Sequence, residues 1–264
     1  NWALRFLKWH FYRRLLGAKP TILDSGWVFV AGFSMGVTPG KFGELLKAWL
    51  LEERSQVPLP LTASVVVGER LTDFIALVLL AAWGVYATGH GVIVMVFACT
   101  GSVLSLLILS SESASLKLIR LTARLPVLSR LTDALESMYL STAKLVKPFP
   151  LIAATILSTV AWGCECIGFY LVLNALPDTT PDLATATFIY SFATIFGAIT
   201  LLPGGLGTTE GSLVGLTYSV FALASKQAAA AGALLIRFCT LWAAVIVGVV
   251  VLLLFRRPAA EPHR

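Results

Sequence analysis

Apolar residues dominate four long runs of this chain, at 61–86, 92–110, 150–174 and 228–255, separated by short turns or polar stretches. Each meets or exceeds the ~18 residues that mark a candidate membrane-crossing helix. Two further apolar stretches, 21–52 and 184–225, are interrupted near their middles. The first interruption reads "TPGKFGEL" from Thr38 and the second "LLPGGLGTTEGS" from Leu201; both hold P-G-x-x-G with a glutamate close behind. Proline removes a backbone N–H and breaks the helix, while glycine admits close approach and positive φ. The expected fold is all-α: a polytopic helical membrane protein with two broken segments.

Positive charge is spread unevenly and orients the path. Residues 1–20 carry Arg5, Lys8, Arg13, Arg14 and Lys19, residues 111–147 carry six Lys or Arg, and Arg256, Arg257 and Arg264 close the chain. The turns near 86–91 and 174–183 carry none. The excess of Lys and Arg on cytoplasmic loops places the basic segments and the C-terminus inside a prokaryotic cytoplasmic membrane, and the neutral turns outside. On that path 61–86 and 150–174 run outward, while 92–110 and 228–255 return. The two interrupted stretches then start and finish on one side each, 21–52 inside and 184–225 outside. They read as helical hairpins, re-entrant or fully spanning, inserted from opposite faces. Arg70 follows Glu44 by 26 residues and Arg237 follows Glu210 by 27. Two similar halves of opposite orientation form the inverted-repeat pattern of membrane transporters, whose broken helices meet near the midplane.

Composition agrees. Of 264 residues, 57% are hydrophobic and 13% charged, against roughly 25% charged in soluble domains. One transmembrane domain, 1–264, is expected. Its basic, aromatic 1–20 segment lies at the cytoplasmic interface, with a further helix expected before Asn1. Residues 112–147 alternate Leu116, Ile119 and Leu121 with Lys117, Arg120 and Arg124 and contain Pro126. They read as a cytoplasmic connector, either amphipathic on the membrane surface or simply solvated. The net charge of +6 suits an anionic inner leaflet; nucleic acid is disfavoured because the basic residues flank spans and form no separate domain. Cys99, Cys164, Cys166 and Cys239 fall in apolar runs, and His10, His90 and His263 are scattered, so neither a metal site nor a cofactor is expected.

The chemistry lies in charges at membrane depth: Lys41, Glu44, Lys47, Glu69, Arg70, Asp73, Glu165, Glu210 and Arg237. Each costs on the order of 2.5–3.5 kcal/mol at a helix centre, so they must pair or face a wet cavity. Lys41, Glu44 and Lys47 share a helical face, as do Arg70 and Asp73. Either they form a cluster that holds the bundle together, or they line a polar cavity for a lipid headgroup or ion. A helix restarting after P-G-x-x-G presents free N–H groups and a positive dipole end, which favour an anion. The resemblance of Gly36–Lys41 to a phosphate-binding P-loop fails, because Met35 and Phe42 stand where that motif needs Gly and Ser or Thr.

In order along the chain, "NWALRFLKWHFYRRLLG", "TPGKFGELLKAWLL", "GERLTDFIAL", "LLPGGLGTTEGSLVGL" and "LLIRF" resemble the lysylphosphatidylglycerol synthase membrane-domain family, also described as flippase-like. The resemblance implies an inverted-repeat membrane domain that moves lipids between leaflets. Family members carry aminoacylated phosphatidylglycerol or other lipids, including glycosylated polyprenyl carriers. It points to Glu44, Glu69, Arg70, Asp73, Glu210 and Arg237 as headgroup or cavity residues. Pro39, Gly40, Gly43, Pro203, Gly204, Gly205 and Gly207 would shape the breaks. The expected partners are membrane lipids bearing phosphate, with a homo-oligomer compatible. A lipid translocase is the leading expectation, without catalytic residues. The alternatives are a lipid-modifying transferase using paired carboxylates, a nonenzymatic assembly partner, or an ion channel.

Overall fold

Helix boundaries follow local chemistry. The Thr21 Oγ1, Asp182 Oδ1 and Ser225 Oγ atoms accept N–H bonds from Asp24, Thr185 and Ala228 and start three helices, satisfying donors with no intrahelical partner. Proline opens two others within the first turn, at Leu59–Pro60 and Pro148, where its missing N–H costs nothing. The computed structural model describes residues 1–89, 92–122 and 132–255. The described residues form helices α1 Trp2–Leu15, α2 Ile22–Ala31, α3 Leu46–Ser55, α4 Leu59–Thr88, α5 Val92–Ser110 and α6 Glu112–Thr122. They continue as α7 Thr132–Leu145, α8 Pro148–Asn174, α9 Leu183–Ile199, α10 Thr208–Gly215, α11 Lys226–Arg237 and α12 Ala243–Phe255. No strand occurs among them; a single antiparallel bridge, Thr179 to Ala224, ties the two loops flanking α9 and α10.

Among its described residues the expected connector holds helices α6 and α7; Pro126 lies outside those residues. Helix α7 packs on α4, with Leu145 against Gly68, and buries Tyr139 and Thr142 as well. Helix α1 buries Trp9 and Tyr12 against the bundle, and the Trp9 indole N–H donates to Ser25 Oγ on α2 at 2.9 Å.

Helix α4 is the spine, packing along α7, α8 and α9. Its 30 residues reach about 45 Å. Glu69, Arg70 and Asp73 sit near its middle and divide its apolar contacts. Val65 and Val66 join one cluster with Trp9, Val28, Leu50 and Leu145, whereas Ala76, Leu77 and Ala81 join another with Phe169, Ile189 and Leu213. Helix α8 repeats the division, with Ala154 in the first cluster and Trp162 in the second. A polar seam therefore crosses the bundle between two apolar cores.

Pro148–Asn174 and Lys226–Leu254 are long and apolar enough to cross a membrane. Leu107 on α5, Ile156 on α8 and Leu253 on α12 are exposed, an arrangement suited to lipid. The arms of the interrupted segments are shorter. Helix α2 continues as a 3₁₀ turn through Gly32–Met35, and α10 as a π-helical turn through Leu216–Val220. At 13–14 residues each, these arms reach about 20 Å, two-thirds of the ~30 Å hydrocarbon core. Helix α2 packs against α3, and α9 against α10.

Candidate functional site

The two P-G-x-x-G motifs are built differently. Pro39 and Gly40 open a 3₁₀ turn, Pro39–Leu45, in which the Gly43 N–H donates to Thr38 Oγ1 at 2.8 Å. After α9 the chain instead turns through left-handed backbone: Pro203 starts a short turn, and Gly204, Gly205 and Gly207 have φ of 60°, 66° and 82°. These values favour glycine; Leu201 adopts 53° without that freedom, so strain collects at this break. The breaks meet in space. A Cβ on Gly204 would stand 3.4 Å from the Val37 Cα.

On the first side the polar seam becomes a buried ionic network. Lys8 Nζ, on a residue only 1% exposed, donates to Asp73 Oδ1 at 2.5 Å and to Ser158 Oγ at 2.7 Å. Ser158 in turn donates to Asp73 at 3.0 Å. Arg70 approaches Asp73 Oδ2 at 3.0 Å and Glu44 Oε2 at 3.3 Å, and Arg5 lies 3.6 Å from Asp73. Lys47 binds Glu69 at 2.8 Å, approaches Glu44 at 3.5 Å and sits 4.9 Å from the Trp9 ring centroid. Among the described residues, four cations, Arg5, Lys8, Lys47 and Arg70, thus face three carboxylates, Glu44, Glu69 and Asp73. The Arg70 side chain remains 26% exposed, and its Nε has no hydrogen-bond partner among the described residues.

On the second side Glu210 works twice. Its Oε2 accepts the Gly207 N–H at 2.7 Å, reaching back to the start of α10 as a capping residue does. Its Oε1 accepts from Arg237 Nε at 2.5 Å, while Arg237 Nη2 donates to the Gly204 carbonyl at 2.6 Å. The last bond joins the end of α11 directly to the break.

A cavity of ≈ 320 Å³ lies between the two sides, and Arg5, Glu44, Arg70, Asp73, Gly204 and Arg237 line it. Trp162 beneath Arg5, and Glu165, whose Oε2 accepts the Tyr190 hydroxyl bond at 2.7 Å, complete its polar wall. Glu69, paired with Lys47, stays outside the lining, and Glu210 lines a separate outer groove. Pro39, Gly43, Pro203 and Gly207 shape backbone without lining the cavity, whereas Gly204 and Gly205 form part of its wall.

These placements surround a cavity with charges at the mid-length of a membrane-length helix. A model of the lysylphosphatidylglycerol synthase transmembrane region matches residues 1–248. The chain belongs to this family. Two curated relatives, each described as a UPF0104 membrane protein of Methanothermobacter thermautotrophicus, are similar to it. One is 31% identical over 121 residues, covering 46% of this chain and 35% of the relative; the other is 31% identical over 105 residues, covering 40% and 30%. The match thus spans about a third of the length of those relatives. No solved structure matches the chain. Within this family member, Arg5, Lys8, Ser158 and Tyr190 were not singled out by sequence. The readable signal was the i,i+3 spacing of Arg5 and Lys8 on a helix otherwise rich in aromatic residues.

Proposed function

We propose that this protein is a lipid translocase in which a phosphate-bearing headgroup enters the cavity while the acyl chains stay in the bilayer. The observation that carries this reading is the convergence of both helix breaks, and of Arg70 and Arg237, on one cavity at the polar seam. The short arms support two re-entrant hairpins inserted from opposite faces, related as inverted repeats, with their tips near the midplane. The lack of Lys and Arg at 86–91 and 174–183 supports a path on which those turns face outward. Arg5, Arg70 and Arg237 offer planar donor forks that suit phosphate, and the carboxylates among them keep those cations in place between substrates. Rocking of one hairpin against the other would open the cavity to each leaflet in turn.

The test is leaflet exchange in proteoliposomes with a headgroup-labelled phospholipid, read by quenching of the outer-leaflet label. Wild-type protein is expected to expose inner-leaflet label, and Arg70→Gln to slow exchange by roughly tenfold or more, as expected for losing a charge-assisted phosphate bond. Exchange equal to that of protein-free vesicles refutes the reading.

A further inference from the structure

On the outer face of α11, Leu206, Leu234, Leu235, Phe238 and Trp242 form the apolar lining of a groove that also holds the Glu210–Arg237 pair. Leu234, Leu235, Phe238 and Trp242 are all exposed, and they lie within an apolar helix long enough to span a bilayer. Arg237 lines this groove and the inner cavity alike, while Glu210 lines the groove alone. The pair therefore stands at the boundary between lipid-facing surface and cavity.

We propose that this groove is a lateral loading site for a phospholipid, and that the Glu210–Arg237 pair is its latch. The inference rests on the translocase reading and assigns its point of entry. The occupant follows from the lining: exposed apolar walls along the helix fit an acyl chain, and the guanidinium among them fits a phosphate. Arg237 has five N–H donors; two are engaged, one by Glu210 and one by the Gly204 carbonyl. A phosphate can take the remaining donors and then displace the Glu210 carboxylate. Glu210 retains the Gly207 N–H when released, so opening the latch leaves α10 capped. Because Arg237 also grips the Gly204 carbonyl, a change at the latch reaches the break itself. The π-helical turn Phe238–Trp242 begins directly after Arg237, and such wide turns are frequent at functional positions in helices.

The test uses the whole protein in proteoliposomes with two photoreactive probes carrying the same diazirine acyl chain: a phosphatidic acid and a diacylglycerol. Cross-linked residues are mapped by peptide mass spectrometry. Phosphatidic acid is expected to label Leu234, Leu235 and Phe238 at least fivefold more than diacylglycerol, while Val249–Leu254 on α12 label equally with both. Arg237→Gln should erase the preference, and the wild-type comparison stands even where that variant folds poorly. Equal groove labelling by both probes overturns the proposal. Equal labelling alongside leaflet exchange removes the loading site and keeps the translocase. Preferential labelling without leaflet exchange keeps the site and removes the translocase.

Discussion

Replacing Asp73 with Asn tests whether the buried network is held by charge. The Lys8–Asp73 contact at 2.5 Å corresponds to a gross attraction of roughly 6–7 kcal/mol at an effective dielectric constant of ~20. Desolvation offsets much of it, so the informative quantity is the cost of leaving Lys8 buried without its carboxylate, about 3–5 kcal/mol. The substitution also makes the formal balance of the network more positive by one charge. On the soluble-domain scale of roughly 2–4 °C per kcal/mol, Asp73→Asn should lower the melting temperature in detergent by roughly 6–20 °C. Lys8→Met combined with Asp73→Asn restores that balance and should recover most of that loss, since neutral replacement of a buried pair is often tolerated. The assay is a double-mutant cycle on melting temperature. A double variant as unstable as the sum of its singles would refute the pairing, and two silent singles would refute the ionic account of the seam.

Two further outcomes follow from packing and capping. Helices α4 and α9 cross at Gly84, where a Cβ would stand 2.5 Å from the Phe188 Cβ and 2.9 Å from its Cα; Gly84→Val should cost at least about 1–3 kcal/mol of stability in thermal melts, whereas Gly163→Val on α8, where an added Cβ would meet no heavy atom within 4 Å, should be mild. Outside the spans, partial burial opposes ionisation of Asp182, but hydrogen bonds from the Thr185 side chain and backbone outweigh it and hold its carboxyl below the usual range. That contribution is complete above the unfolded value of ~3.9 and is lost as pH falls through the lower folded value; Asp182→Ala should therefore cost about 1 kcal/mol at pH 7 and visibly less at pH 3, measured as melting temperature against pH.

The all-helical class and the two interruptions were legible because each has a local cause: apolar run length, proline and glycine. The spacings of Glu44 from Arg70 and of Glu210 from Arg237 correspond to two ion pairs in the structure. The sequence could not show that Lys8 turns inward to Asp73. A lysine beside Trp9 and Tyr12 reads equally well as an interfacial side chain reaching for water, and its partners lie 65 and 150 residues away. The unlike construction of the breaks was hidden for a related reason. Both share P-G-x-x-G, yet only the second places its glycines at positive φ among the described residues, and the motif alone does not determine that. Nor does Ser158 stand out in an apolar run until α8 is laid against α4.

The most direct measurement of the central claim locks the two break tips together. In a background whose four native cysteines are replaced, Val37→Cys and Gly204→Cys place the new thiols across the contact where a Gly204 Cβ lies 3.4 Å from the Val37 Cα, within reach of a disulfide. If lipid crosses by relative movement of the hairpins, the oxidised protein in vesicles should lose leaflet exchange, and reductant should restore it in the same sample. Undiminished exchange by fully cross-linked protein would contradict the account.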